Sequence, residues 1–316
     1  MVRYSEPPVL LHDVIDDLDA VVQILEREAP YTPLGGWFRS GQAPAEPTLP
    51  MWFQNDWVHD TFTAEGSEVF LHHPGYLEAT ARFYDAEVVE PQSVYVNLMA
   101  AIDGGGPAHT DNPRFHGRDR TNTPMWLLRT MLWSGLFEEH EILQATAIWW
   151  MQDVEGGAIL YWADGPDRPP RVHDTAMANT ALLGDNHGMF HQVGPVGPFD
   201  GERHLITAQA ELAPVGDGSG DWAVTDRGAV QYRAPLDAIR VSVLWKADVY
   251  RTEAERAQRI RSSLSLDDVA DRFADDLASR DLDLRLDLAR VEDLTLRDAF
   301  AVAYPEATPV DAIPTA

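Results

Sequence analysis

A histidine and an aspartate separated by one residue, His109 and Asp111, follow an apolar run at 93–102 and a glycine-rich turn. On an extended strand, residues two apart point to the same face, so both side chains could bind one metal ion. The sequence contains no cysteine, so a metal would be held by histidine, aspartate or glutamate. Because His-x-Asp also occurs in ordinary polar turns, the pair predicts a metal centre only if the chain supplies a third ligand.

Two histidines, His187 and His191, are candidates for the third ligand. His191 lies in a short β-type run, whereas His187 lies in a turn, where histidine is common because it tolerates unusual backbone angles. We favour His191 because a strand holds a ligand more rigidly than a turn does, although a hydrogen-bonded core histidine is the alternative. Two histidines and one carboxylate on one side of a metal form the ligand set of non-haem iron(II) oxygenases, which leaves other positions open.

The elements that must position these residues are mainly β-type. Short apolar runs separated by Gly, Pro, Asp and Asn extend from about 91 to 250 and predict a sandwich or barrel. An apolar stretch at 125–137 predicts a helix inserted among them. Helical spacing of apolar residues appears at 10–28 and 75–87 and returns after Tyr250. We therefore predict a mainly β fold with flanking helices.

We divide the chain into a helical and loop segment at 1–90 that packs on the core, a β core at 91–250 and a helical extension at 251–316. In the extension, residues 265–280 combine a capping-box start with apolar residues on one face. This helix is expected either to cover its own domain or to pair with a second copy in a homodimer. The tail at 306–316 is expected to be loose.

Composition narrows the range of partners. The chain has 24 Lys and Arg against 51 Asp and Glu, a formal net charge of −27, and such a surface repels nucleic acid and anionic membranes. The first residues lack an apolar signal core, and no apolar run reaches membrane-spanning length. We therefore expect a cytoplasmic protein that acts on a small molecule and binds neither nucleic acid nor membrane.

The order of the motifs resembles that of the iron(II)/2-oxoglutarate-dependent dioxygenase superfamily. His-x-Asp is followed by EGGAILYWADGP at 155–166, by DNHGMFHQVGPVG at 185–197 and by an Arg-x-Ser strand, and the likeness covers about 93–250. The resemblance implies a double-stranded β-helix, or jelly-roll, core. It also implies three cofactors or cosubstrates, namely iron(II), 2-oxoglutarate and dioxygen. The iron ligands that it implies by position are His109, Asp111 and His191.

In that family, an arginine pairs with the remote carboxylate of 2-oxoglutarate. Arg240, with Ser242 two residues on, lies on the last strand before the helical tail, whereas Arg203 has the family's more usual spacing after His191. We favour Arg240 with Ser242, which requires 203–234 to be an inserted hairpin. For either arginine, a salt bridge on the acidic surface is the alternative.

Several side chains near these motifs are further candidates. Asn97 and Tyr95, on the strand before the His-x-Asp pair, could contact the cosubstrate if they face inward. Trp149, Trp150 and Trp162 could line an apolar pocket, although plain core is the commoner use of such residues. A basic cluster could contact an anionic group of the substrate, or could be a solvated loop paired with acids. Its members are Arg114, His116, Arg118 and Arg120.

The resemblance implies an oxygenase that hydroxylates a small organic molecule while it converts 2-oxoglutarate to succinate. Asp111 argues against halogenation, since halogenating relatives replace this carboxylate with a small residue. Two other classes stay open. A cupin-type metal enzyme that does not use 2-oxoglutarate would have no role for Arg240 or Arg203, and a non-catalytic jelly-roll binding protein would bind no iron.

Overall fold

The computed structural model describes residues 5–34, 49–59, 62–197 and 205–314. Arg203 lies outside them. The strands are β1 (Val9–Leu11), β2 (Thr32–Pro33), β3 (Trp52–His59), β4 (Phe62–Thr63), β5 (Val88–Met99), β6 (Leu143–Trp150), β7 (Ile159–Tyr161), β8 (Arg171–His173), β9 (Thr180–Gly184), β10 (His191–Val193), β11 (Glu211–Pro214), β12 (Asp221–Asp226), β13 (Ala229–Pro235) and β14 (Arg240–Tyr250). The helices are α1 (Leu18–Arg27), α2 (Glu68–Leu71), α3 (Pro74–Tyr84), α4 (Met125–Ser134), α5 (Glu253–Arg261), α6 (Leu266–Ser279) and α7 (Leu294–Ala303).

Two antiparallel sheets form the core. The large sheet has the order β1-β9-β6-β14-β5-β3-β2, with β4 paired to β3, and the small sheet has the order β10-β7-β8. The segment around His109 extends the small sheet, because His109 and His191 exchange both backbone hydrogen bonds, at 3.0 and 2.9 Å. From β5 onward the chain passes repeatedly from one sheet to the other. This alternation is a double-stranded β-helix, which confirms the predicted jelly-roll core.

The inner face of each sheet is the one that faces the other sheet. Trp150 of β6, Leu244 of β14 and Ile159 of β7 belong to one buried apolar cluster, so side chains from both sheets meet there. Since alternate residues of a strand point to opposite faces, Trp149 lies on the other side of the large sheet, in the main core with α1 and α3. Trp162 lies on the outer side of the small sheet. Of the three tryptophans, only Trp150 therefore faces the space between the sheets.

The segment before residue 90 contributes strands as well as helices. β3 pairs with β5 in the large sheet, and β1 pairs with β9 at its opposite edge. Apolar spacing at 10–28 predicted one or two helices, and the structure has one, α1, which begins at Leu18, where Asp17 caps it by accepting a hydrogen bond from the Ala20 amide. The division of the chain near 90 and 250 stays a proposal.

A helical layer is built from the insert and the C-terminal extension. Val269, Phe273 and Leu277 of α6 are buried, and they pack with α4 and α7 in one apolar cluster. The capping box predicted at Ser265 and Asp268 is present. Because the apolar face of α6 is covered within its own chain, it does not need a second copy, and the homodimer stays a prediction.

The C-terminal tail is docked as far as Pro314, so the expectation of a loose tail was wrong for its described part. The side chain of Gln192 donates to the Ile313 carbonyl at 2.7 Å and accepts from the Ile313 amide at 2.8 Å. The indole of Trp162 donates to the Val310 carbonyl at 2.8 Å. These bonds fasten the tail to the outer side of the small sheet.

The segment between β10 and β14 includes a separate three-stranded sheet with the order β11-β12-β13. It is the kind of insertion that the choice of Arg240 required, since β14 then closes the core after it. No helix in the described ranges is long and apolar enough to cross a membrane.

Candidate active site

The structure brings His109, Asp111 and His191 together on the inner face of the small sheet. Each offers one ligand atom, and these three atoms lie within 4.8 Å of one another. The Asp111 Oδ1 atom is 3.6 Å from His191 Nε2 and 4.0 Å from His109 Nε2. The ring centroids of the two histidines are 4.4 Å apart, because their backbones are paired directly. The described residues contain no other group of this kind.

Backbone carbonyls orient both imidazole rings. His109 Nδ1 is 2.8 Å from the Pro107 carbonyl oxygen, and His191 Nδ1 is 3.2 Å from that of Met189. Since a carbonyl only accepts hydrogen bonds, each Nδ1 is the donor, and each Nε2 is the ring nitrogen that approaches Asp111. Burial, with the neighbouring His109, lowers the pKa of His191 to about 4. The neutral ring is the form that binds a metal.

The two carboxylate oxygens of Asp111 have different surroundings. Oδ1 faces the two imidazoles, whereas Oδ2 accepts a hydrogen bond from Lys246 Nζ at 2.7 Å and lies 3.5 Å from Thr146 Oγ1. Burial alone would raise the pKa of Asp111, but the ammonium of Lys246 and its hydrogen bond, together with the neighbouring histidine side chains, outweigh burial and hold the pKa below its ordinary value. Asp111 is therefore ionised and available as an anionic ligand.

Arg240 is a buried cation whose anionic partner is missing from the described part of the chain. The residue is 3% exposed. Its Nε donates to the Gly157 carbonyl at 2.8 Å and its Nη1 to Ser242 Oγ at 3.2 Å, while Nη2 has no hydrogen-bond partner. Burial lowers its pKa to about 9. Because buried charges in proteins are normally paired, this guanidinium indicates a site for an acidic group from outside the chain.

The paired glycines of EGGAILYW make room for Arg240. Gly157 has φ +70°, and a Cβ atom placed there would lie 2.7 Å from Arg240 Cδ. Gly156 has φ +71°, and its Cβ would lie 2.4 Å from the Pro195 carbonyl oxygen. A side chain at either position would therefore meet both backbone strain and a clash. The turn at these glycines lets the arginine lie against the backbone of the opposite sheet.

Alternate residues of β14 line the space between the sheets from Arg240 at one end to the group around Asp111 at the other. Arg240, Ser242, Leu244 and Lys246 follow the period of two, with Leu244 in the inner apolar cluster and Lys246 against Asp111. Asn97 lies opposite Ser242 in the strand register, and its Oδ1 is buried without a hydrogen-bond partner. The three candidate metal ligands and Arg240 therefore face the same space.

Other predicted residues are placed elsewhere. His187 is buried, but it is not part of the group around Asp111, and neither of its ring nitrogens has a hydrogen-bond partner. Within the basic cluster, Arg114 is held by Asp248 at 2.8 and 3.1 Å, and the ring of His116 packs 5.9 Å from that of Tyr250. These two residues are structural.

Lys246 and Thr146 are contacts of Asp111 that sequence reasoning missed. The available signal was compositional, because Lys246 is the only lysine of the chain and interrupts an apolar strand. A lysine at such a position indicates a buried acidic partner. The identity of that partner, 135 residues away along the chain, required the strand pairing.

Comparison with solved structures gives distant matches. One is an oxidoreductase of the 2OG-Fe(II) oxygenase family from Burkholderia pseudomallei, with 11% identity and a TM-score of 0.42 over 78% of this chain and 85% of that one. Another is a Trichoplax adhaerens prolyl hydroxylase in complex with a hypoxia inducible factor peptide fragment, with 11% identity and a TM-score of 0.42 over 80% and 87%. A third is HygX from Streptomyces hygroscopicus with nickel, 2-oxoglutarate and hygromycin B bound, with 8% identity and a TM-score of 0.39 over 77% and 83%.

No protein-family model matches the sequence, and no curated protein matches it. The functional proposal below therefore depends on the chain's own residues.

Proposed function

We propose that the protein is an iron(II)- and 2-oxoglutarate-dependent oxygenase that hydroxylates a small organic molecule. The observation that carries the proposal is that a candidate metal site and a candidate carboxylate site face the same space between the two sheets. A two-histidine, one-carboxylate group lies on the small sheet, and the guanidinium of Arg240, which has no acidic partner among the described residues, lies on the facing sheet. The first suits a divalent metal and the second suits the acid of a cosubstrate.

The residues present fit both groups. His109, Asp111 and His191 would hold iron(II), because they offer two imidazole nitrogens and one ionised carboxylate. Arg240 and Ser242 would bind the remote carboxylate of 2-oxoglutarate, and Nη2 of Arg240 is the donor without a partner. When bound, iron, 2-oxoglutarate and dioxygen would supply the oxidant, with succinate and carbon dioxide as products.

The remaining task of the chain is to orient ligands and exclude water. The Pro107 and Met189 carbonyls hold the two imidazoles in one tautomer, so their orientation does not have to be set when a ligand binds. Trp150, Leu244 and Ile159 form a buried apolar lining in the space that the three candidate ligands and Arg240 face. Such a lining strengthens the electrostatic attraction between the guanidinium and a carboxylate.

The substrate is proposed to carry a negative charge. Arg120 has no ion pair with the acidic residues that the structure describes, unlike Arg114, and its charge acts on Tyr95 and Lys246 beside Asp111. A free positive charge at this edge of the site favours an anionic group. Organic acids should therefore stimulate succinate release more than their neutral amides do, and an Arg118→Gln/Arg120→Gln variant should lose that preference. We retain the cytoplasmic location as a proposal.

The function is tested by adding iron(II), ascorbate and 2-oxoglutarate under air and measuring succinate. Wild type should release succinate, whereas His109→Ala and Arg240→Ala should not. Arg203→Ala is measured alongside these variants, because Arg203 was the other candidate for the 2-oxoglutarate carboxylate and lies outside the described residues. A cupin-type enzyme would show metal-dependent activity without succinate, and a binding protein would bind no iron.

A further inference from the structure

Lys246 is the only lysine in a chain with 24 basic residues, all the others being arginine. It lies on the inner face of β14, and its side chain is only 15% exposed. Lysine is seldom buried unless it is paired, and here its acidic partner is Asp111. The single ammonium side chain of the protein is therefore placed against a proposed metal ligand.

The contact with Lys246 gives the two carboxylate oxygens of Asp111 different neighbours. Lys246 lies opposite Thr146 in the strand register, and both side chains approach Oδ2, at 2.7 and 3.5 Å. Oδ1 is the atom that faces the two imidazole nitrogens. Each oxygen of the carboxylate thus has its own set of neighbours.

The chemistry of the ammonium group suits this arrangement. An ammonium is a compact point charge that can hold a single oxygen, whereas a guanidinium presents a planar fork that engages both oxygens of a carboxylate. At the Arg114–Asp248 pair of the same strand, one guanidinium nitrogen contacts both oxygens, at 2.8 and 3.1 Å. An arginine in place of Lys246 would compete for Oδ1 as well.

We infer that Lys246 is a positioning residue that holds Oδ2 of Asp111 and leaves Oδ1 alone for the metal ion. The inference rests on the metal-ligating group of the proposed function. It has an electrostatic consequence, because the ammonium and a divalent cation share one carboxylate. Lys246 balances the charge of Asp111 when no metal is bound and lowers the affinity of the site for the metal.

The test is the affinity of the purified protein for cobalt(II) alone, by calorimetry or visible absorption. Lys246→Met and Lys246→Gln remove the charge, and we expect both to bind cobalt(II) about tenfold more tightly than wild type. Lys246→Arg keeps the charge and adds a fork that competes for Oδ1, so it should bind cobalt(II) no more tightly than wild type. If the neutral variants bind cobalt(II) no more tightly than wild type, the inference is wrong.

Arg114→Met is the matched control, because it breaks a different buried ion pair on the same strand without touching Asp111. A purely structural defect should leave cobalt(II) affinity unchanged or weaken it, which is what we expect for Arg114→Met. Tighter binding in the Lys246 variants alone would therefore separate competition for Asp111 from loss of structure. Equal behaviour of Lys246→Met and Arg114→Met would overturn the inference.

The single lysine provides a second readout that can be taken on the wild-type protein. Protein labelled with ¹³C at the lysine ε-carbon should give one side-chain signal by NMR. We expect this signal to shift on addition of zinc(II) and in Asp111→Asn, and to stay in place in Arg114→Met. If the protein binds zinc(II) and the lysine signal does not shift, the inference is wrong. Wild type that binds neither metal would instead contradict the proposed metal centre.

Discussion

The positively charged side chains at the two ends of β14 differ in whether the chain supplies an acidic partner. Near its last residues, Asp248 holds Arg114, and Lys246 is held by Asp111, so each cation has an acid from the chain. At its first residue, Arg240 is buried more deeply, with no acid in the described residues. A buried cation with its own acid is part of the fold. A buried cation without one indicates where an acid must come from a ligand.

The largest effect is expected from removing the acid that serves both the fold and the metal. Asp111→Ala should weaken cobalt(II) binding by more than about 100-fold and abolish succinate release, because the site loses its only anionic ligand. Cobalt(II) titration of the purified variant measures this loss. Asp248→Ala, the matched removal of an acid from β14, should leave metal affinity near wild type. Equal losses of cobalt(II) affinity in Asp111→Ala and Asp248→Ala would mean that Asp111 is not a metal ligand.

Stability measurements test whether Arg114 and Arg240 differ as buried cations with and without an acidic partner. Arg114→Met should lower the free energy of unfolding by about 2 to 3 kcal/mol, because it leaves Asp248 buried without its partner. Arg240→Met should leave the stability of the ligand-free protein unchanged or raise it by about 1 kcal/mol, because it removes an unpaired buried charge. Urea unfolding of both variants without 2-oxoglutarate checks this. A large loss in Arg240→Met would place its acidic partner within the chain.

Acid should destabilise the protein through His187, a buried neutral imidazole whose ring nitrogens have no hydrogen-bond partner in the described part of the chain. Burial lowers its pKa from 6.5 to about 4. A lowered histidine pKa contributes stability above pH 6.5 that is lost as the pH falls toward 4, and the loss amounts to about 3 kcal/mol. His187→Gln should therefore flatten the decline in unfolding free energy between pH 7 and 4.5. An unchanged slope would show that His187 is already paired or exposed.

A smaller effect is expected from crowding Arg240. Gly157→Ala places a Cβ 2.7 Å from Arg240 Cδ and strains a backbone at φ +70°. We expect the KM for 2-oxoglutarate to rise about tenfold and stability to fall by about 1 to 2 kcal/mol. Gly218→Ala is the matched control, since Gly218 has φ +83° with nothing within 4 Å of its Cβ position. It should lose stability without a change in KM, and a similar KM change in both would exclude crowding as the cause.

The parts of the site that could be predicted from sequence are those whose spacing is local. His109 and Asp111 share a face because they are two residues apart, and Ser242 reaches Arg240 for the same reason. The preference for His191 over His187 depended on recognising a short strand, and the structure places His191 beside Asp111. The density of short strands predicted a sandwich or barrel, and the resemblance to the iron(II)/2-oxoglutarate-dependent dioxygenases implied the jelly-roll core, which is confirmed.

The contacts that sequence could not predict join distant segments. Lys246 meets Asp111 only because β14 lies between β5 and β6 in the large sheet. β3 was hidden in a loop-rich stretch, since its burial comes from pairing with β5 rather than from its own pattern. The tail was expected to be loose because nothing in its composition shows that Gln192 would bind the Ile313 backbone. In each case, tertiary pairing overrode a weak local signal.

The central claim is that Arg240 receives the acid of 2-oxoglutarate beside a metal held by the His-x-Asp pair and His191. The most direct measurement is the binding of 2-oxoglutarate to cobalt(II)-loaded protein in the absence of oxygen, in wild type, Arg240→Met and Arg114→Met. We predict that wild type and Arg114→Met bind 2-oxoglutarate alike and that Arg240→Met loses at least about 100-fold in affinity. Wild-type affinity in Arg240→Met, or no binding by metal-loaded wild type, would contradict the claim.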